Sequence, residues 1–285
     1  MMNQSNSFSM MPVVTKNLLI INGIFFLADA LLSNKGIVLS DILGLHYFAA
    51  TDFRPFQLIT YMFMHGNFMH LFFNMLGVWM FGTAVENYLG SKKFLIYYLV
   101  TGLGAAALHY AIVHVELQPI LAGFNDFIQQ PTPEKLHSLL KSETFKTFYS
   151  PEMRQQLSSF IEGYNHKIET NPMEAMSFAA TEMATIKELA LNAPVVVGAS
   201  GSLFGLLLAF GMLFPNSIVY LYFAIPIKAK YFVILYGVIE LFSGVANIPG
   251  DNVAHFAHLG GFITGLILML FWRKKTGNFF KPYDY

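Results

Sequence analysis

Gly198-Ala199-Ser200-Gly201-Ser202-Leu203-Phe204-Gly205-Leu206-Leu207-Leu208-Ala209 decides how the rest of this chain is read. The run is apolar enough for the interior of a bilayer, yet it opens on a hydroxyl set among small residues. A later apolar run carries Ala257-His258-Leu259-Gly260-Gly261. A serine and a histidine inside membrane-length segments are costly to bury, so each calls for a use. Nucleophilic chemistry within the bilayer is the use that pairs them, since a serine hydroxyl needs a neighbouring base.

Composition sets the class. The 285 residues are 55% hydrophobic and 12% charged, with a mean hydropathy of +0.50. A soluble domain carries about 25% charged residues. A net charge of zero speaks against a nucleic-acid footprint. The absence of cysteine excludes disulfides, thiolate-bound zinc and thiol catalysis. Residues 1–15 form a polar tail without charge, and Lys16 precedes the first apolar run. No small-residue cleavage site follows that run, so it is expected to be a retained helix.

Six apolar runs approach the roughly 20 residues a spanning helix needs. They lie at 17–33, 66–84, 94–115, 198–214, 229–245 and 253–272. Phe56–Met64 is expected at the membrane interface. Ser217–Ile225, bracketed by Pro215 and Pro226, reads as a hydrophobic connector. With the N-terminus cytoplasmic, the inner segments hold Lys16, Lys92, Lys93, Lys228, Lys230, Arg273, Lys274 and Lys275. The short outer loops then hold only Lys35 and Arg54, which satisfies the positive-inside rule. Both termini are therefore expected in the cytoplasm, in a bacterial cytoplasmic membrane.

Residues 116–191 have a different composition, rich in Glu, Lys, Gln, Ser and Thr, with breaks at Pro131, Pro133, Pro151 and Pro172. Leu136, Leu139 and Leu140 recur at helical spacing, as do Met153, Leu157 and Phe160. Asn171-Pro172 is placed to open a further helix running to about Leu191. The expected organisation is a polar tail (1–15), a membrane core in two parts (16–115 and 192–275), an extramembrane helical insertion (116–191) and a C-terminal tail (276–285). A loose helical linker is the plainer reading of the insertion.

In this topology the second, fourth and sixth runs all descend from the outer face. His65, His70 and Asn74 begin the second, Ser200 begins the fourth, and His258 lies roughly 9 Å into the sixth. Their polar groups thus fall in one outer third of the membrane. Ser200 is the candidate nucleophile and His258 its base, because imidazole titrates nearest neutral pH. The plain reading of Ser200 is a hydroxyl bonded to its own helix backbone. The only acidic residue near His258 along its own run is Asp251, so a Ser–His pair without a third member is expected, with Phe204 available to pack on the imidazole. Gly201 and Gly205, like Gly261 and Gly265, are spaced for close helix contact. His70 and Asn74 share one helix face and offer N–H donors for an oxyanion hole, together with the backbone N–H of Ser200. His65 reads as an interfacial histidine, and His109, His114 and His255 as structural. Glu86 and Glu240 read as structural hydrogen-bonding residues, a proton path being the alternative.

His65, His70 and Asn74, then Gly198-Ala199-Ser200-Gly201, then Ala257-His258-Leu259-Gly260-Gly261, resemble the rhomboid family of intramembrane serine proteases. The likeness covers residues 16–115 and 192–275. It implies an all-α, six-helix membrane bundle, with the extramembrane insertion between the third and fourth helices. It implies Ser200 as nucleophile, His258 as base, and His70, Asn74 and the Ser200 backbone as oxyanion hole. It implies no cofactor, and single-span transmembrane proteins as substrates, cut near the outer boundary of the bilayer. Glu86 also matches a family position. Phe56-Gln57 stands where the family often has Trp-Arg. The fifth run and Asn247–Asp251 are candidate substrate gates. Three other classes stay open: an inactive rhomboid-like protein that binds membrane clients, a polytopic transporter, and a metal-dependent protease using His255 and His258.

Overall fold

A computed structural model describes residues 11–142, 145, 150–221, 224–246 and 254–276. Asn247–Asp251 lie outside the described residues. Two compact units emerge. The first comprises Met1–Gly44, Phe56–His109 and Val196–Tyr285, and the second comprises Leu45–Pro55 and Tyr110–Val195.

Five described helices are long and apolar enough to cross a membrane. They are α1 (Val13–Ser33), α2 (Phe68–Leu89), α3 (Ser91–Gln129), and two C-terminal helices taken up below. α3 extends well past the expected 94–115, because its hydrogen bonding continues through polar residues after the apolar run ends. At 1.5 Å per residue it measures about 58 Å, against roughly 30 Å of hydrocarbon. Within α2, residues Val78–Gly82 form a π-helical turn. Before α2, Phe56–Met64 folds as a short helix (Gln57–Thr60) and a 3-10 turn (Tyr61–Phe63).

The second unit is built by amphipathic helices. α4 (Pro133–Lys141), α5 (Pro151–Thr170) and α6 (Pro172–Asn192) each begin with proline at the first turn, where its missing N–H costs nothing. Thr132, Ser150 and Asn171 supply the caps, each side chain accepting a backbone N–H three residues on. Of the prolines that read as breaks in sequence, Pro133, Pro151 and Pro172 are thus helix starts, and Pro131 lies between α3 and α4. Leu136, Leu139, Met153, Phe160, Ala175, Ala179, Met183 and Ile186 are buried at helical spacing.

The first unit is organised around α7 (Ser200–Leu213). Its fourteen residues rise about 21 Å, shorter than a bilayer core. Nine of its residues are buried, so protein rather than lipid surrounds it. After α7 the apolar connector forms an antiparallel hairpin, β1 (Ile218–Leu221) paired with β2 (Ile225–Lys228). α8 (Ala229–Ala246) and α9 (His255–Thr276) complete the chain as described. Leu27, Leu31, Phe242, Val245 and Ile267 are exposed, which makes lipid their natural surrounding. This is a multi-pass, all-α integral membrane protein.

Glycine sets the central contact. A Cβ added to Gly261 of α9 would overlap the carbonyl oxygen of Gly201 in α7. One added to Gly265 would approach the Gly205 Cα at 3.3 Å. These two helices therefore meet backbone to backbone, as small residues permit. Against α3, the Tyr97 hydroxyl donates to the Gly205 carbonyl at 2.8 Å, and the Ser202 hydroxyl donates to the Tyr98 carbonyl at 2.8 Å. Such bonds hold α7 in register where water cannot compete for them.

Candidate active site

Ser200 is the first residue of α7, and among the described residues no side chain caps that helix end. The first N–H groups of a helix lack intrahelical partners, so they face whatever sits before Ser200. Gly198 makes the approach possible. Its φ of +121° is poorly accessible to other residues, and an added Cβ would lie 2.8 Å from the His70 ring. The Gly198 N–H donates to the Tyr61 carbonyl at 2.8 Å, tying this turn to the segment before α2.

The glycine contact brings α9 against α7 at the level of the serine. His258, in the first turn of α9, is buried, and its Nε2 lies 2.9 Å from the Ser200 Oγ. This places His258 nearer its helix start than the sequence suggested, because the described helix begins at His255 rather than at 253. The Phe204 ring stacks on the imidazole, with centroids 4.1 Å apart and planes 11° apart. Phe204 is one turn beyond Ser200, so a single helix presents both the hydroxyl and the ring's platform.

On its other edge His258 meets Glu240, which the sequence offered as a structural hydrogen-bonding residue with a proton path as the alternative. The Nδ1 of His258 lies 2.9 Å from Oε2 of Glu240, on α8. The Nδ1 of His255 lies 2.6 Å from the same oxygen. A buried carboxylate, an apolar run that tolerates it, and two histidines one turn apart were the available signals. What sequence could not show was that α8 turns this carboxylate toward α9. Glu240, His255 and His258 each bring one ligand atom within 4.8 Å of the others, a spacing that a metal ion can bridge.

His70 and Asn74 stand on the first turns of α2. Asn67 caps that helix by accepting the His70 N–H at 2.8 Å. The His70 ring faces Gly198 and contacts the His65 ring edge-on at 5.0 Å. His65 is buried rather than exposed. The Asn74 Nδ2 donates to the His70 carbonyl at 2.9 Å. Among the described residues, neither His70 nor Asn74 is hydrogen-bonded to Ser200.

Glu86, near the far end of α2, accepts the Val14 and Thr15 N–H groups at 3.0 and 2.7 Å, and the Thr15 and Ser91 hydroxyls at 2.8 and 2.6 Å. It thereby caps the start of α1. Gln57, standing where the family often has arginine, is buried, and its amide donates to the Ile42 carbonyl at 3.1 Å. Thr60 donates to the Leu43 carbonyl at 2.7 Å. The segment before α2 is thus anchored to the preceding loop by neutral side chains.

A short buried helix that opens on a serine, with a histidine from the glycine-packed neighbouring helix against it, marks one class of membrane protein. The Rhomboid domain model matches residues 52–125 and 166–275, and the chain belongs to the rhomboid family. It is similar to an uncharacterized mitochondrial rhomboid protein of Schizosaccharomyces pombe, with 26% identity over 235 residues. That match covers 78% of this chain and 53% of the relative, so the chain spans about half the length of the curated relative it matches.

Proposed function

We propose that this protein is an intramembrane serine endopeptidase, with Ser200 as nucleophile and His258 as general base. The observation that carries the reading is the 2.9 Å approach of His258 Nε2 to Ser200 Oγ at the start of a buried helix. In the first step Ser200 Oγ bonds to the scissile carbonyl carbon, and its proton passes to His258 Nε2. Negative charge gathers on the carbonyl oxygen. The Ser200 backbone N–H, the His70 ring and the free amide hydrogen of Asn74 are the donors that meet it. His258 then hands its proton to the leaving amine as the C–N bond breaks. Water, deprotonated by His258, releases the acyl group and regenerates Ser200.

Substrates are single-span transmembrane proteins, cut near the outer boundary of the bilayer. A helical peptide bond is already hydrogen-bonded, so residues that loosen a helix favour cleavage. The distribution of Lys and Arg supports cytoplasmic termini. Residues 16–115 and 192–275 form the proteolytic core, and 116–191 an extramembrane insertion supported by its composition. The test is cleavage of a single-span substrate by the purified protein in liposomes, alongside fluorophosphonate labelling. Ser200→Ala should abolish both, and His258→Ala should lower turnover by roughly 10⁴–10⁶-fold. Unchanged cleavage by Ser200→Ala rejects the reading.

A further inference from the structure

We infer that Glu240 is a positioning residue for His258, making the reactive group a three-membered Ser200–His258–Glu240 relay. The inference rests on the protease reading and deepens it.

α8 buries Ala229, Phe232 and Val233 toward its start, and beyond them Glu240 alone. Its neighbours Val238, Ile239, Leu241 and Phe242 are exposed apolar residues suited to lipid. A carboxylate in such a helix is tolerated only where hydrogen-bond donors replace water. Two donors do so here, both ring nitrogens of α9, and both on the same oxygen, Oε2.

That arrangement selects a tautomer. A carboxylate accepts and does not donate, so the Nδ1 of His258 carries the hydrogen directed at Glu240. The other nitrogen, Nε2, then holds its lone pair, and it is the one facing Ser200 Oγ. The base is ready to receive a proton before substrate arrives. Once Nε2 is protonated, the positive imidazolium lies against the carboxylate, which favours that state. Phe204 fixes the plane of the ring, Glu240 fixes its rotation within that plane, and His255 holds the carboxylate oxygen. Glu240 touches no reacting atom and acts only through His258.

The experiment compares wild type, Glu240→Gln and Glu240→Asp, purified in the full chain. Fluorophosphonate labelling of wild type, lost in Ser200→Ala, establishes the protease reading first; its absence defeats that reading and overturns this inference with it. Given labelling, Glu240→Gln keeps the shape of the side chain and removes its charge. It should lower kcat and the labelling rate by roughly 10²–10⁴-fold, with KM within about threefold of wild type. Glu240→Asp should recover at least about tenfold of that loss, because it restores the carboxylate. A purely structural role would lower melting temperature and leave the folded fraction equally reactive. A folded Glu240→Gln protein that labels at the wild-type rate overturns the inference while leaving Ser200 as nucleophile. Loss of wild-type labelling on chelation, with recovery on adding zinc, also overturns it by making the same three side chains metal ligands.

Discussion

The two ends of the membrane core each bury a carboxylate, and they treat it differently. Glu86 meets backbone N–H groups and hydroxyls, all of them anchoring the start of α1 and the α2–α3 turn. Among the described residues, Glu240 meets two imidazoles and no backbone donor. His70, which faces the turn leading to Ser200, is separated from Glu86 by about 24 Å of helix. Donors that cannot change protonation make a fixed joint. Donors that can, set beside the proposed nucleophile, suit a device for moving a proton. The chemistry of the partners, rather than burial alone, separates the two carboxylates, and on the proposed reading it makes Glu86 structural and Glu240 functional.

The sharpest way to strain that contrast is at Asn74, on the reactive end. Its side chain has one amide hydrogen on the His70 carbonyl; on the proposed mechanism the second meets the oxyanion. Asn74→Ala should lower kcat by roughly 10²–10³-fold, as loss of one oxyanion donor does. Melting in detergent should move little, because the bond lost is local to one helix turn. At the other end the pattern should invert. Glu86→Gln replaces a carboxylate oxygen by an amide that faces donors, at a cost of about 2–3 kcal/mol in stability. The fraction that remains folded should cleave substrate at the wild-type rate. A Glu86→Gln protein of unchanged melting temperature and reduced turnover would erase the distinction between the two ends.

Much of this was legible in the residues. The glycine pairs in α7 and α9 announced the backbone contact, because four-residue spacing is a local property of each helix. Ser200, His258 and Phe204 could be brought together from that contact and the alternation of helix direction. Gln57 was harder, since only the fold shows that a neutral amide reaches the Ile42 carbonyl. The extension of α3 to Gln129 was hidden because hydropathy reports the lipid boundary, whereas helical hydrogen bonds continue past it. The hairpin at Ile218–Lys228 was hidden for a related reason: an apolar connector has no period that names its partner strand. The partners of Glu240 were hidden because spacing along α9 cannot reveal an acceptor brought to its histidines from α8. Contacts within one helix are written in sequence periodicity. Contacts between helices without a small-residue signature are not.

Phe204 offers the finest discrimination between the forces that hold His258. The stacked ring covers one face of the imidazole, while Glu240 binds one edge. Phe204→Leu keeps an apolar side chain of moderate size at the position and removes the flat surface. Aromatic stacking contributes about 0.5–1.5 kcal/mol beyond area, so kcat/KM should fall about two- to tenfold. Steady-state cleavage of a single-span substrate, measured with the melting temperature of the same preparation, checks this. A loss greater than about a hundredfold with intact folding would exceed what stacking supplies and would make the ring's plane, rather than its hydrogen bond to Glu240, the dominant constraint. A loss within the expected range leaves the carboxylate as the stronger hold, since a charge-assisted bond fixes direction where a ring face fixes only a plane.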